Sequence, residues 1–499
     1  MKIYQKELED LIEPFLLEKL KQSEFECYET PAIDLLKHNR FDLAFKLAYL
    51  ELHNRAPRFA KDLYKDHIRA FSLGSYSEPG NEDKNTIETF FKSFEITFNN
   101  IKENGFDARK TLIPVSKSNT IINGAHRVAS SIFLKRYVKC VQLDELNEPN
   151  YNYDFFYKRN VPPNYLDFAA TKFIEYAENI YIAFIWPTAE GKDADIEEII
   201  PNIVYRKDIK LNYQGAHNLI SQIYFGEPWL GTIENDFRGA KGKLHECFKN
   251  FGYIRVIAFQ APNFDMVLEV KEKIRKLFNV GKHSVHITDT HEEAIRIAQV
   301  VFNDNGIHFL NNAKPNKYIN TYDKIDKFKR TLMEKDIAFD DAVLDGGIVL
   351  SIYGLRECSD IDYISSLSFE HNDSELEHHD SELEHHDSEL EHHDSDKDML
   401  IYNPKYYFIF NSIKFFSYAQ TYKMKKNRIK ANGNKKDIND CKMMEAVLED
   451  NLIKGFINKN KQNIYYLKIK VRYKLVLILK RLGLYRLVKN IYHGIREKS

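Results

Sequence analysis

The pattern of apolar and polar residues along the chain predicts alternating helices and strands. In FDLAFKLAYLEL (41–52), apolar residues recur at intervals of three and four, as in an amphipathic helix. Residues 1–57 are therefore predicted to form an N-terminal helical subdomain. From 58 to 150, a helix ending at Gly105 is followed by a strand, a second helix and a second strand, which predicts a compact α/β unit.

Two further regions of mixed pattern follow. Residues 151–322 contain four apolar strand-like runs and two amphipathic helices, of which the second begins with a capping pattern, T-H-E-E, at Thr290. Residues 323–452 contain a helix, a short apolar strand, the string GGIVLSIYGLRECSDIDYI and a final helix. The predicted fold class is therefore α/β multidomain, closed by a basic, amphipathic helical tail at 453–499.

An acidic insert at 370–398 interrupts the last α/β region. It contains three identical copies of DSELEHH, at 373–379, 380–386 and 387–393. One leucine per heptad is half of what a coiled coil needs, so we expect a solvated linker or a loose helix. Metal binding by the paired histidines is the alternative interpretation.

The charge is distributed unevenly, although the net charge of the 499 residues is only -1. The tail has nine Lys and four Arg against one acid, a net charge of +12, and the insert has thirteen acids against one Lys, a net charge of -12. The five cysteines show no CxxC spacing, and no apolar run is long enough to span a membrane. The N-terminal segment MKIYQKELEDLIEPF carries acids where a signal peptide needs an apolar stretch. We therefore expect a cytoplasmic protein without structural disulfides or a zinc site.

The strongest chemical signal lies in the last α/β region. Gly346 and Gly347 follow a short apolar strand, and glycine there lets backbone amides approach a phosphate. Asp360 and Asp362 are two residues apart in a strand-like pattern, so their carboxylates are expected on one face. Such a pair can hold Mg²⁺ or Mn²⁺ against the phosphates of a nucleotide.

The string GGIVLSIYGLRECSDIDYI resembles the signature of the polymerase-β-like nucleotidyltransferase superfamily. The resemblance covers roughly residues 325–450, and it implies that Asp360 and Asp362 are catalytic metal ligands. The family usually has a third carboxylate on a later strand, but the run MLIYNPKYYFIF (399–410) contains none. Two interpretations therefore stay open, a working metal site and a degenerate domain that still binds a ligand. Arg356, between the two motifs, is assigned no role.

A second signal lies in GFDARKTLIPVSKSNTIINGAHRVASSIFL (105–134). Glycine followed by His-Arg at the start of a helix offers backbone amides and a cation to a phosphate. The array resembles the ParB/sulfiredoxin superfamily, which implies that Gly124, His126 and Arg127 contact the phosphates of a nucleotide. The alternative is a structural strand-turn-helix with a surface His-Arg pair.

The order of these units resembles that of putative transferases from bacterial capsular polysaccharide loci. That group implies Mg²⁺-dependent transfer of an O-methyl phosphoramidate group from a CDP-linked donor to a hydroxyl of a capsule sugar or of its lipid-linked precursor. The alternatives are a sugar or nucleotidyl transferase that uses a nucleotide sugar or NTP, and a non-catalytic nucleotide-binding scaffold in capsule assembly. No nucleic acid partner is expected. The basic tail predicts peripheral contact with the anionic inner face of the cytoplasmic membrane.

Overall fold

The computed structural model describes residues 2–78, 84–366, 376–378 and 389–447, and part of the segment 467–488. The chain divides into two compact units, residues 1–432 and 433–499. The larger unit contains three small open sheets with helices between and around them, so the fold is mixed α/β.

The first sheet joins the N-terminus to the unit predicted at 58–150. Its strands, in the order β1-β2-β4-β3, are β1 (Lys2–Tyr4), β2 (Glu24–Pro31), β3 (Ile113–Val115) and β4 (Tyr137–Gln142). β2 pairs antiparallel with β4, and β3 pairs parallel with β4. The prediction of a separate helical subdomain over 1–57 is therefore wrong. Phe25 and Cys27 alternate with polar residues, and this period of two places both in the core from one face of a strand.

The helices of this half pack around the sheet and form a large aromatic core. The helix predicted at 41–52 is present, and the helix predicted to end at Gly105 does so, with Gly105 at a φ of 74°. The helices are α1 (Pro14–Leu17), α2 (Asp42–Leu52), α3 (Pro57–Ser72), α4 (Ile87–Asn104), α5 (Ala125–Phe133), α6 (Tyr153–Tyr157) and α7 (Pro163–Tyr176). Short 3-10 helices span Gln5–Leu8 and Ala32–Leu35.

The central sheet is antiparallel throughout and contains the four predicted strands, in the order β6-β7-β5-β8. They are β5 (Ile180–Ile185), β6 (Ile203–Lys210), β7 (Tyr253–Gln260) and β8 (Val285–Ile287). The helices that follow or separate them are α8 (Asp193–Ile199), α9 (Tyr213–Ile223), α10 (Arg238–Cys247), α11 (Phe264–Phe278), α12 (His291–Val301) and α13 (Asp304–Asn312). Thr290 caps α12 as predicted, because its side chain accepts a hydrogen bond from the Glu293 amide.

The third sheet is mixed and has the order β11-β10-β9-β13-β12. Its strands are β9 (Ala342–Asp345), β10 (Ile361–Ser365), β11 (Leu376–His378), β12 (Tyr407–Phe410) and β13 (Ile413–Phe416). β9 is antiparallel to β10 and parallel to β13. The helices are α14 (Asn320–Glu334), α15 (Gly347–Ile352), α16 (Lys397–Tyr402) and α17 (Tyr418–Asn432).

The acidic insert is partly folded. The backbone of β11, within the first repeat, pairs parallel with β10, and Glu389–His393 at the end of the third repeat forms a 3-10 helix. The expected strand at 399–410 is divided between α16 and β12. The second repeat, 380–386, lies outside the described residues.

In the smaller unit, residues 435–447 are helical, and so are most of the described residues between 467 and 485. Five apolar side chains spaced three or four residues apart are between 50% and 64% exposed, namely Leu467, Val471, Leu475, Ile478 and Leu482. Among the described helices, none has the length and apolar character that a membrane crossing requires.

Candidate functional site

The Gly346–Gly347 turn lies against the carboxylate of Asp362. β9 ends at Asp345, Gly346 has φ 63° and ψ -125°, and Gly347 begins α15. The Gly347 amide donates to Asp362 Oδ2 at 3.4 Å, and a Cβ built on Gly346 would lie 2.1 Å from that oxygen. Both the positive φ and this close approach require glycine at position 346.

The two predicted metal ligands differ in their placement. β10 begins at Ile361, so Asp362 lies within the strand and Asp360 lies in the bend before it. Both side chains are half-buried. The strand pattern expected for both aspartates therefore extends over Asp362 alone, and the role of Asp360 as a metal ligand stays a prediction.

The structure brings a further carboxylate to this point. Asp345 pairs directly with Asp362 in the antiparallel ladder between β9 and β10. Directly opposed residues of an antiparallel pair have their side chains on the same face of the sheet, with Cβ atoms about 4.5–5.5 Å apart. Asp345, Asp362 and the glycine turn therefore form one cluster at the end of two strands.

Asp345 is held by the last histidine of the repeat array. Both side chains are 0% exposed, and His393 Nε2 lies 2.8 Å from Asp345 Oδ2. Gln420 Nε2 lies 3.0 Å from His393 Nδ1 and donates to the His393 carbonyl oxygen at 3.0 Å. Because an amide nitrogen only donates, Nδ1 accepts, and a neutral ring carries its proton on Nε2, toward Asp345.

Two acids near the end of the insert contact residues of α17 and α3. Asp394 Oδ2 accepts from Asn427 at 2.8 Å and pairs with Lys423 at 3.4 Å, while Asp396 pairs with Arg58 at 3.3 Å. Strand β13, the other neighbour of β9, ends at Phe416. The ring of Phe416 packs against that of His393, with 4.8 Å between the ring centroids. Within the described part of the chain, no group of three or more His, Cys, Asp or Glu side chains is placed to hold a metal ion.

A cation lies beside the second glycine of the turn. A Cβ built on Gly347 would lie 3.4 Å from Nη1 of Arg356, and this nitrogen also donates to the Glu357 carbonyl oxygen at 3.1 Å. The turn is thus flanked by the Asp362 carboxylate and the Arg356 guanidinium. Such an arrangement suits a ligand that presents a metal ion and a phosphate side by side.

The second predicted site, at the start of α5, is occupied by contacts within the protein. Gly124 has a φ of 90°, and a Cβ there would lie 2.8 Å from the Arg127 guanidinium. Arg127 pairs with Glu13 at 2.9 Å and also donates to the Thr111 hydroxyl. His126 Nε2 lies 2.7 Å from the Tyr64 hydroxyl. The structure thus supplies a structural role for Arg127, and the phosphate role of the three residues stays a prediction.

A buried ion cluster lies among the neighbouring aromatic rings. Asp42 accepts from Arg40 at 2.8 and 2.9 Å and from Lys46 at 3.0 Å, and all three side chains are buried. Burial alone would raise the pKa of Asp42, but the two cations hold it well below its ordinary value. Lys46 Nζ also lies 3.4 Å from His67 Nε2. Burial and, to a smaller extent, Lys46 lower the pKa of His67 well below 6.5.

Sequence reasoning missed Asp345 and His393 and assigned no role to Arg356. Asp345 could have been found from its place before the two glycines, whereas the three repeats are identical and do not indicate that one histidine is buried. Comparisons of the chain with protein-family models, with curated proteins and with solved structures found no significant match.

Proposed function

We propose that this chain is a transferase that takes a phosphorus-containing group from a nucleotide-linked donor, at the cluster formed by Gly346, Gly347 and Asp362. The observation that carries the proposal is the contact of the Asp362 carboxylate with the glycine turn, at 3.4 Å from the Gly347 amide. This contact places a candidate metal ligand directly beside the turn whose glycines predict the approach of a phosphate.

The residues present fit a divalent cation. Asp362 lies in β10 and Asp360 two residues before it, both are half-buried, and carboxylate oxygens are the ligands that Mg²⁺ prefers. Protein sites often hold Mg²⁺ with one or two carboxylates and leave the other positions to water and substrate phosphates. When bound, the ion would neutralise charge on the phosphates of the donor. Asp362 would hold it, with Asp360 as the second candidate ligand.

The other residues of the cluster would position the donor. Arg356 lies beside Gly347 and would contact a phosphate oxygen by a charge-assisted hydrogen bond. In the transfer, an acceptor hydroxyl forms a new oxygen–phosphorus bond. The pyrophosphate bond of the donor breaks, the nucleoside monophosphate leaves with the bonding electrons, and the hydroxyl proton passes to solvent. Positioning and electrostatic stabilisation supply most of the catalysis in such reactions.

The resemblance to capsule-locus transferases supplies the finer part of the proposal. On that basis the donor is CDP-linked O-methyl phosphoramidate and the acceptor is a hydroxyl of a capsule sugar. Incubation with CDP-linked compounds, UDP-linked compounds and NTPs, each with Mg²⁺ or Mn²⁺, tests it by mass spectrometry. Release of CMP from a CDP-linked donor supports the proposal. Turnover of a nucleotide sugar or NTP alone would replace it with a sugar or nucleotidyl transferase, and binding without turnover would indicate a scaffold.

A further inference from the structure

A cleft of about 550 Å³ with both polar and apolar lining shares no residue with the Asp362 cluster. One wall is formed by residues in and after the 3-10 helix Ala32–Leu35, together with Ser118, Thr120 and Glu148. The other wall lies at one end of the central sheet, where Asn179 precedes β5, Asn202 precedes β6 and Gln260 ends β7. The volume lies within the range of about 300–1,000 Å³ that ligand pockets span.

The two walls of the cleft are joined by hydrogen bonds. Gln260, at the end of β7, donates to the Leu36 carbonyl oxygen at 2.9 Å and accepts from the His38 amide at 2.7 Å. On the other side, Asn39 donates to the Thr120 hydroxyl oxygen at 2.9 Å and to Glu148 at 2.5 Å. The cleft is therefore preformed, which reduces the entropic cost of binding.

The charge of the cleft disfavours an anionic ligand. Burial acts to raise the pKa of Glu148, but hydrogen bonds from Ser118, Thr120 and other side chains outweigh it, so the carboxyl is held ionised. Asp34 and Glu178 add two further carboxylates. Against these, burial lowers the pKa of Lys37 and of His38, and both shifts disfavour their charged forms.

The remaining lining groups are those that recognise hydroxyls. The side chains of Asn179, Asn202, Asp34 and Glu178 are exposed at the cleft, and each amide offers donors and an acceptor. Gln260, Ser118 and Thr120 already hydrogen-bond within the protein and shape the walls. A sugar hydroxyl also donates and accepts, so a ring that carries several hydroxyls can satisfy amides and carboxylates together. We propose that this cleft binds a neutral polyhydroxylated ligand, of the size of one or two sugar rings.

This proposal does not depend on the proposed transferase reaction. Saturation-transfer NMR on the full chain tests it with glucose, galactose and N-acetylglucosamine as neutral probes and CMP as an anionic probe. The test variant is Glu178→Ala/Asn202→Ala, because both side chains are exposed at the rim of the cleft. The control is Glu227→Ala/Asn100→Ala, which removes the same groups from exposed positions outside the lining.

We expect a saturation-transfer signal, and therefore binding, for at least one of the neutral sugars. The affinity for that sugar should be at least five-fold lower in the test variant and unchanged in the control. Binding of none of the three sugars would overturn the proposal. It would be overturned equally by sugar binding that the rim substitutions leave unchanged, which would place the sugar elsewhere. CMP binding at the Asp362 cluster would not respond to the rim substitutions, so only CMP binding that they weaken counts against a neutral ligand.

Discussion

Asp345 and Asp362 lie directly opposite each other in the antiparallel ladder between β9 and β10. Like charges at directly opposed positions destabilise a sheet, so such a pair is retained where a cation or a hydrogen-bond network offsets the repulsion. Here His393 contacts Asp345, while Asp362 faces the Gly346–Gly347 turn. The two carboxylates therefore have different partners: Asp345 contacts the last histidine of the insert, and Asp362 contacts the turn at which we propose that the donor binds.

The first prediction concerns His393. Substitution His393→Ala should lower the free energy of unfolding by roughly 2–4 kcal/mol, because Asp345 and Gln420 lose buried hydrogen bonds and the ring leaves a cavity. Urea denaturation measures this change. A stability within about 0.5 kcal/mol of the native protein, the usual range for a surface position, would contradict the anchoring role.

Deletion of one repeat supplies the matched control. Because the three copies of DSELEHH are identical, removal of any one leaves the same two histidines before Asp394. We expect the deletion to change stability by less than about 1 kcal/mol, since loop length costs only about 0.6 kcal/mol per doubling. A loss as large as that of His393→Ala would show that two copies cannot supply both the β11 pairing and the 3-10 helix that ends at His393.

The second prediction concerns Arg127 and Glu13, which pair at 2.9 Å in a partly buried position. A double-mutant cycle with Arg127→Ala and Glu13→Ala should give a coupling energy of about 1 kcal/mol, because each substitution removes the same ion pair. Calorimetric titration with CMP or CDP tests the role that the sequence predicts for Arg127, a contact with the phosphate of a nucleotide. Weaker nucleotide binding in Arg127→Ala but not in Glu13→Ala would assign the guanidinium to a phosphate, and no coupling would contradict the structural pair.

The third prediction concerns pH. The pKa values of His67 and His126 are held well below 6.5, chiefly by burial and to a smaller extent by Lys46. Both rings are therefore neutral in the folded protein, while in the unfolded chain they bind protons below about pH 6.5. Above that pH the two rings therefore leave the free energy of unfolding unchanged with pH. As the pH falls below it, the free energy of unfolding decreases by at most about 1.4 kcal/mol per pH unit for each ring.

Urea denaturation between pH 8 and about pH 5, a range set by the ordinary pKa of histidine, measures this dependence. The variant His67→Phe keeps an aromatic ring among Phe45, Phe71 and Phe156. It should reduce the slope of the free energy of unfolding against pH by the contribution of one histidine. Equal slopes for the variant and the native protein would show that His67 does not titrate differently in the two states.

The fourth prediction concerns the tail. Its exposed apolar residues are spaced as on one face of a helix, and its net charge is +12. Attraction to anionic lipid is worth about 1 kcal/mol per basic residue near the surface, and the apolar face adds burial among the headgroups. The full chain should therefore co-sediment with anionic vesicles at low salt.

Two variants separate these contributions. Leu475→Ser/Ile478→Ser/Leu482→Ser keeps the charge and should release from vesicles at lower salt than the native chain. Lys474→Gln/Lys480→Gln/Arg481→Gln keeps the apolar face and should bind less at low salt, where screening is weakest. If both variants sediment as the native chain does, the tail has no membrane role.

Much of the fold could be predicted from local pattern. The apolar run Ile180–Ile185 and the capping residue Thr290 each specify an element within a few residues. The strand Glu24–Pro31 was missed although Phe25 and Cys27 alternate with polar residues, because the helical pattern that follows was extended over it.

The candidate site was predictable only in part. The motifs indicated Gly346, Gly347 and Asp362, since each carries its own chemical signature. The partnership of Asp345 with Asp362 depends on strand register, and the burial of His393 depends on contacts with Gln420 and Phe416. Neither relationship can be seen in a local pattern, because both join residues that are distant in the sequence.

The most direct test of the transferase proposal is the rate of CMP release from a CDP-linked donor with Mg²⁺ and a sugar acceptor, measured for the native chain and for Asp362→Asn. The matched control is Asp323→Asn, an exposed aspartate on α14. We predict that Asp362→Asn keeps its fold, judged by circular dichroism and melting temperature, and loses at least about a hundred-fold in rate, while the control is unchanged. A folded Asp362→Asn protein that releases CMP at the native rate would contradict the assignment of this cluster as the active site.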